Sequence, residues 1–387
     1  MKSIRFLPIK HNLILVISAF LTLGCQAAER GESLGIFDSD DANFEVTVVA
    51  NDLEMPWGMT FIPDGRMLFT ERHVGRMSLL NLKNGKLVVL KGVPEVHAQR
   101  QGGLLDVILH PDYKKNGWIY FAYSATRDGM HSTFVDRARL NGDTLVDREE
   151  VFVAQPFFRQ SHHFGSRLVI DADNYLFITV GDRGNRDRAQ DLTTHNGKVI
   201  RLHDDGRVPD DNPFVGRDDA RDEIWSYGHR NMQGLTLHPE TGELWGHEHG
   251  PKGGDEINII EPGKNYGWRI ITYGEEYRGG KIGDGITEKE GMEQPLKYYV
   301  PSIAPSGMVF YTGDAFPNWQ GDLFIGALAL THINRLVFKD NNYVVKEERL
   351  LDDENWRVRV VRQGPDGNLY IGVDSGMILR LQPVVAE

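Results

Sequence analysis

An all-β fold, a six-bladed β-propeller of four-stranded antiparallel blades, is what this sequence predicts, and three observations carry the prediction. A turn-strand unit recurs six times, amphipathic helical stretches are scarce, and short runs of Val, Ile, Phe, Tyr and Leu alternate throughout with Gly, Asp, Asn and Pro turns.

The recurring unit begins as Pro63-Asp64-Gly65-Arg66-Met67-Leu68-Phe69 and returns as Asn116-Gly117-Trp118-Ile119-Tyr120-Phe121 and Asp173-Asn174-Tyr175-Leu176-Phe177-Ile178. It appears again as Thr241-Gly242-Glu243-Leu244-Trp245, Gln320-Gly321-Asp322-Leu323-Phe324-Ile325 and Asp366-Gly367-Asn368-Leu369-Tyr370-Ile371. Intervals of roughly 45 to 80 residues suit one blade per copy, because a blade buries its faces only against its neighbours. The extra length, greatest between Trp245 and Phe324, is expected in loops standing on one face of the ring. Turn-strand units also recur in other β proteins, so the motifs below must agree with the architecture.

Ahead of the repeats, Lys2, Arg5 and Lys10 precede an apolar run from Leu13 to Leu23 and a small-residue stretch around Cys25. This reads as an export signal over residues 1–25, too short for a membrane-spanning helix, which needs roughly 20 apolar residues. Leu21-Thr22-Leu23-Gly24-Cys25 resembles a lipoprotein cleavage box. Acylation of Cys25 would tether the protein to the outer membrane, whereas cleavage near Ala27 or Ala28 would leave it free in the periplasm. Residues 26–42 are expected to form an N-terminal tail and 43–387 a single catalytic propeller domain.

Cys25 is the only cysteine, so no disulfide can form and core packing must hold the ring together, with metal ions as the available aid. Net charge is −12, and without the three signal cations the remainder carries −15, which argues against a nucleic-acid partner. Clustered arginines in so acidic a chain are informative by contrast.

Four segments could carry chemistry. His162 and His163 stand in Gln160-Ser161-His162-His163-Phe164-Gly165-Ser166-Arg167, and a strand later comes Gly181-Asp182. A histidine oriented by a carboxylate is the usual general base near neutral pH, although paired histidines before a strand are also common structural features. Arg230-Asn231 offers a cation and an amide donor suited to a developing oxyanion, or alternatively a surface ion pair. Glu248-His249-Gly250-Pro251-Lys252-Gly253-Gly254-Asp255-Glu256 can turn backbone carbonyls and carboxylates toward a hard cation such as calcium. His247 and His249 suggest zinc instead, but no third ligand stands at a typical zinc spacing. In Arg357-Val358-Arg359 the two guanidinium groups share a strand face, which calls for an anion between them unless that face is simply solvated.

Taken in order, these segments resemble the PQQ-dependent soluble glucose and aldose sugar dehydrogenase family. The resemblance runs from about Phe44 to Leu381 and includes Gln101-Gly102-Gly103-Leu104-Leu105-Asp106, His162-His163-Phe164-Gly165-Ser166-Arg167-Leu168, Gly228-His229-Arg230-Asn231-Met232-Gln233-Gly234, the Glu248–Glu256 segment, Asn265-Tyr266-Gly267-Trp268 and Arg357-Val358-Arg359.

The resemblance implies oxidation of aldose sugars at C1 to lactones, with hydride passing to PQQ and electrons onward to an acceptor. It makes His163 the base, Asp182 its orienting carboxylate, and Arg230 with Asn231 the donors to the reacting quinone oxygen. Gln101, Tyr277, Ser302, Arg357 and Arg359 match cofactor contacts. The carbonyls of Gly250 and Pro251 match ligands of a cofactor calcium, while Glu256 and Tyr266 match a second, structural calcium.

Three positions depart from the pattern. Ala329 replaces a frequent cofactor lysine, with His332 and Arg335 nearby, and losing such a charge-assisted contact costs about 1.5–3 kcal/mol. Met232 stands where proline is usual. The region of Val300 lacks the sugar-side aromatic of the dimeric glucose enzymes, which favours an open pocket and a monomer.

Two other functions fit a propeller. A calcium-dependent sugar lactonase would have no use for Arg357 and Arg359 against a polycarboxylate, and a non-enzymatic binding propeller would not need the base or the Arg230-Asn231 pair.

Overall fold

The computed structural model describes residues 28–340 and 342–384, so the expected export signal and Cys25 lie outside the described residues. Among the described residues no helix is long and apolar enough to cross a membrane. The chain opens with β1 (Ser33–Asp38) and β2 (Asn43–Ala50), an antiparallel pair.

Five four-stranded sheets follow in chain order. The first blade holds β3 (Pro56–Phe61), β4 (Arg66–Glu71), β5 (Arg76–Asn81) and β6 (Leu87–Val89). The second holds β7 (Leu104–Leu109), β8 (Trp118–Arg127), β9 (Met130–Asn141) and β10 (Thr144–Val153). The third holds β11 (Leu168–Ile170), β12 (Tyr175–Val180), β13 (Lys198–His203) and β14 (Ile224–Tyr227). The fourth is β15 (Met232–Leu237), β16 (Leu244–Glu248), β17 (Asp255–Ile259) and β18 (Lys297–Tyr299). The fifth is β19 (Pro305–Phe310), β20 (Leu323–Ala327), β21 (Ile333–Lys339) and β22 (Tyr343–Leu350).

The sixth blade closes the ring by joining the two ends of the chain. β23 (Val358–Gln363), β24 (Leu369–Val373) and β25 (Met377–Pro383) come from the C-terminal end, and β2 pairs with β25 as the fourth strand. The six-bladed, four-stranded antiparallel prediction holds. Residues 33–38, expected in the N-terminal tail, instead form β1 and add a fifth strand to this blade.

Every copy of the repeat marks the second strand of its blade: β4, β8, β12, β16, β20 and β24. Each is preceded by a turn residue at positive φ, from Gly65 at 88° through Asn174 at 63° to Gly367 at 77°, which is why the copies share Gly or Asn. Second strands are covered by blades on both faces, so they read as near-continuous apolar runs. Leu323–Ala327 is buried at every position, whereas the outermost strand Tyr343–Leu350 alternates between exposed and half-buried over most of its length.

The core is divided among the blade interfaces. Leu68 and Met77 pack on Ile119 and Phe121, Tyr120 on Leu176 and Ile178, and Phe177 on Met232 and Leu244. Trp245 and Ile257 then meet Phe310 and Leu323, Phe324 meets Val358 and Ile371, and Val360 with Tyr370 meets Met59 and Phe69. The long insertion lies between β17 and β18, where residues 260–296 carry no strand or helix.

Candidate active site

One topological device builds the site. The innermost strand of a blade begins on the face where the second strand ends, so residues just before the first meet residues just after the second. His163 precedes β11 and Asp182 follows β12. Arg230 precedes β15 and Gly250 follows β16. Arg357 and Arg359 stand at the start of β23 and Asp374 after β24. Arg357, Arg359 and Asp374, with Phe164, Asn231 and His249 beside the other positions, line an axial cavity of about 580 Å³ whose wall also includes Trp57, Arg72 and Gln101.

His163 Nδ1 lies 2.6 Å from Asp182 Oδ1, which also accepts the Gly184 N–H at 2.7 Å, while Oδ2 accepts the Trp268 indole N–H at 2.8 Å. An ionised acceptor there assigns the proton of the neutral imidazole to Nδ1 and leaves Nε2 as the basic atom. The backbone N–H of His163 donates to Gln101 Oε1 at 2.7 Å, and the next two residues, Phe164 and Gly165, line the cavity.

The backbone here is strained. His163 sits at φ 54°, Arg100 at 52° and Arg183 at 56°, a region that costs non-glycine residues about 1–3 kcal/mol and clusters at functional sites. Gly181 is required by close approach, since a Cβ would lie 2.2 Å from the His163 carbonyl oxygen.

Burial, then the Arg230 guanidinium, push the His163 imidazole down to about 4 against the pull of Asp182. The imidazole is therefore neutral at ordinary pH. Burial works to raise the Asp182 carboxyl, but the hydrogen bond to His163 and the charges of His163 and Arg230 hold it below its usual value. His162 is not equivalent, because its ring stands edge-on to that of His163 at 4.8 Å and makes no hydrogen bond to Asp182.

Arg230 Nη1 donates to the carbonyls of His249 at 2.9 Å and Gly250 at 3.1 Å, and its Nη2 lies 3.5 Å from the Tyr277 hydroxyl. Its Nε is buried without a partner. Asn231 Oδ1 accepts the Gly165 N–H at 3.2 Å, which leaves its amide group free to donate. Behind them Ser226, His229 and Glu248 form a chain of hydrogen bonds, 2.8 Å from Ser226 to His229 and 2.9 Å from His229 to Glu248. The order imitates a nucleophile, base and acid. All three are buried, however, and Glu248 also accepts the Arg230 N–H, so the chain is a strut for Arg230.

Arg357 and Arg359 do share an anion, and it is a protein carboxylate. Asp374 accepts from Arg357 Nε at 3.0 Å, from Arg359 Nε at 2.9 Å and from Arg359 Nη2 at 2.9 Å. Arg359 is buried, while the Arg357 side chain is half exposed and also holds the Leu328 carbonyl at 2.6 Å.

A second cavity of about 530 Å³ adjoins the first through the shared wall of His249 and Ala304. Gly250, Pro251, Tyr277, Ser302, Val300 and Ala329 line it. Ser302 donates to Asp255 Oδ2 at 2.7 Å, so its hydroxyl proton is already used, and Asp255 also accepts the Gly250 and Ala304 N–H groups at 2.9 Å. Neither neighbour of Ala329 replaces a lysine there. His332 is buried with Nδ1 3.0 Å from the Leu330 carbonyl, and Arg335 is enclosed by Asp322, Glu348 and Asp41 at 2.7–2.8 Å.

Glu256 and Tyr266 line a small third void with Glu248, Gly250 and Arg230. Burial, then the like charge of Glu248, raise the Glu256 carboxyl well above its usual value, and its one hydrogen bond is from Asn258 at 3.3 Å. Two carboxylates around an under-satisfied void fit a hard cation completed by backbone oxygens. Among the described residues no three His, Cys, Asp or Glu side chains converge on a metal. His247 and His249 instead bond the Ser306 and Pro305 carbonyls of the neighbouring blade, so they are not placed as a zinc pair.

The family model for glucose/sorbosone dehydrogenases matches residues 53–380. The chain belongs to the glucose/sorbosone dehydrogenase family. Over 349 residues it is 44% identical to the aldose sugar dehydrogenase YliI of Escherichia coli K12, covering 88% of this chain and 94% of that one. It is 28% identical over 414 residues to quinoprotein glucose dehydrogenase B of Acinetobacter calcoaceticus, with 86% of each chain covered. The soluble aldose sugar dehydrogenase of Escherichia coli in its apo-form superposes with a TM-score of 0.84 at 43% identity, covering 88% of this chain and all of that one. The PQQ-bound aldose sugar dehydrogenase of Streptomyces coelicolor superposes with a TM-score of 0.72 at 26% identity, covering 88% and 98%.

Arg72, Asp374 and Trp57 are the site residues that lie outside the motifs, whereas Trp268 and Asp255 stand inside quoted motifs without an assigned role. Arg72 and Asp374 were accessible in principle, since each directly follows a copy of the repeated strand.

Proposed function

We propose that this protein oxidises aldose sugars at C1 to lactones with PQQ as hydride acceptor and passes the electrons to a separate acceptor. The observation that carries this reading is the axial cavity, with a neutral, carboxylate-oriented imidazole at one side and a surplus of guanidinium groups at another.

The residues fit such a cofactor. Arg72, Arg357 and Arg359 outnumber their one carboxylate, Asp374, as a polycarboxylate requires, and the buried Trp57 ring gives a planar molecule an apolar face. The His249 and Gly250 carbonyls already converge on the Arg230 cation, so backbone oxygens there can serve a calcium ion as well. Gly250 and Pro251 would hold the cofactor calcium, and Glu256 with the Tyr266 carbonyl the structural one. When bound, PQQ supplies the two-electron acceptor.

The chain's own residues do the proton chemistry. His163 Nε2 takes the proton of the anomeric hydroxyl, and Asp182 holds the ring in the accepting tautomer and stabilises the imidazolium as it forms. Arg230 and the Asn231 amide donate toward negative charge developing opposite the base. Gln101 fixes the base from the backbone side by accepting the His163 N–H. Tyr277, 67% exposed, and Val300, 62% exposed, leave the second cavity open toward solvent, which suits a broad range of sugars.

Dye reduction by purified apoprotein with a panel of aldoses, before and after PQQ and calcium are added together, tests the reading. Activity that depends on both additions supports it. Apoprotein that neither binds PQQ nor gains activity overturns it.

A further inference from the structure

We propose that Arg72 is a third anion-binding side chain of the axial cavity and takes a carboxylate of the cofactor directly; this rests on the reading that the cavity holds PQQ.

Arg72 directly follows β4, the position that Asp374 occupies after β24, and it lines the axial cavity with Arg357 and Arg359. It is 7% exposed, yet among the described residues no carboxylate pairs with it. One guanidinium nitrogen donates to the Arg100 carbonyl and lies 2.8 Å from His73 Nε2, while Nε is buried without any partner. The only acid in that wall, Asp374, is already held by Arg357 and Arg359 through both of its oxygens.

Burial, then Arg359, lower the Arg72 guanidinium to about 10 against a partial pull from Asp374, so it remains charged at neutral pH with no ion-pair partner of its own among the described residues. A buried cation of this kind is stable only if something else brings the negative charge. The surrounding backbone is fixed around it. The Arg72 carbonyl accepts the Leu104 N–H at 3.0 Å, and a Cβ on Gly103 would lie 2.1 Å from that oxygen. Arg72 thereby grips residues 100–104, whose Gln101 holds the His163 N–H. One side chain thus links the anion wall to the loop that seats the base.

The experiment is calorimetric titration of calcium-loaded apoprotein with PQQ and with its trimethyl ester, for wild type, Arg72→Met and Arg72→Lys. The expected result is that Arg72→Met weakens PQQ binding roughly 10- to 150-fold, the range of a charge-assisted hydrogen bond. It should change ester binding less than about threefold, and Arg72→Lys should recover part of the loss. Unchanged PQQ binding in Arg72→Met overturns the proposal. So does equal loss of acid and ester, which would make Arg72 only a support for residues 100–104. Wild-type apoprotein that binds neither ligand would overturn the proposed function, and this inference with it.

Discussion

Replacing Asp182 by asparagine separates the two services that this carboxylate gives His163. In the native protein Oδ1 accepts from His163 and Gly184, and Oδ2 accepts from the Trp268 indole. An amide has one oxygen and one NH2 group. Keeping the oxygen toward His163 preserves two bonds and loses one; the opposite orientation loses the Gly184 bond and keeps the His163 contact only if the imidazole moves its proton to Nε2. The first should prevail. His163 then keeps its tautomer, but the forming imidazolium loses its charged partner, and a buried indole N–H loses its acceptor. Exchanging a charge-assisted for a neutral hydrogen bond is worth about 1–2 kcal/mol, so kcat should fall roughly 5- to 30-fold. The orphaned indole should lower stability by about 1–3 kcal/mol. Asp182 raises the His163 pKa, so its loss should move the acid limb of the pH profile downward from about 4. Steady-state dye reduction at saturating PQQ over a pH series, with urea unfolding of the same samples, measures all three. A rate equal to wild type would refute the orienting role. A loss beyond about a hundredfold would refute the amide orientation, and an acid limb that moves upward would refute the electrostatic assignment.

Acid should destabilise the fold before its carboxylates titrate. His97, His131, His162, His163, His195 and His332 all have pKa values lowered chiefly by burial, so below 6.5 the unfolded chain binds protons that the folded chain refuses. Thermal unfolding should therefore shift to lower temperature as pH falls from 6.5 toward 4, and a flat profile across that window would contradict the burial of these rings. Arg359→Ala should lower stability by about 3 kcal/mol in urea titrations, the low end for breaking a buried ion pair, because Arg357 still holds Asp374. Adding Asp374→Ala should restore part of that loss. Calcium at a hundredfold its Kd should stabilise wild type by about 2.7 kcal/mol. Glu256→Gln should remove the structural ion's share of that response and be more stable than wild type without calcium, because it relieves the cost of burying a carboxylate and then the repulsion from Glu248.

The blades were legible because their second strands are buried on both faces and begin at turns that demand positive φ, so burial and backbone both left marks at Gly65, Asn174 and Gly367. The pairing of His163 with Asp182 was legible for a related reason, since one hairpin brings them together. The partner of Arg357 and Arg359 was expected to be a ligand. Asp374 was overlooked because an aspartate before a Ser-Gly turn looks like ordinary turn chemistry until the ends of the repeated strands are known to share a face. Trp268 stood inside a quoted motif, but its partner was not legible. It reaches Asp182 from residue 268, in the strandless stretch of 260–296, and no period or spacing announces such a contact. β1 was missed because its six residues, Ser33–Asp38, alternate only weakly and show mostly exposed or half-buried positions at the edge of a sheet.

Ring closure has a consequence for how the protein comes into being. The pairing of β2 with β25 joins almost the first described strand to the last, so a growing chain carries β2 paired with β1 alone until β25 has been made. The axial cavity, to which the first, third and sixth blades contribute Trp57, Phe164 and Arg359, cannot exist before that moment. No chain lacking β25 can complete this cavity, and a tight ligand of the cavity would act as a final lock, reporting that the ring is closed.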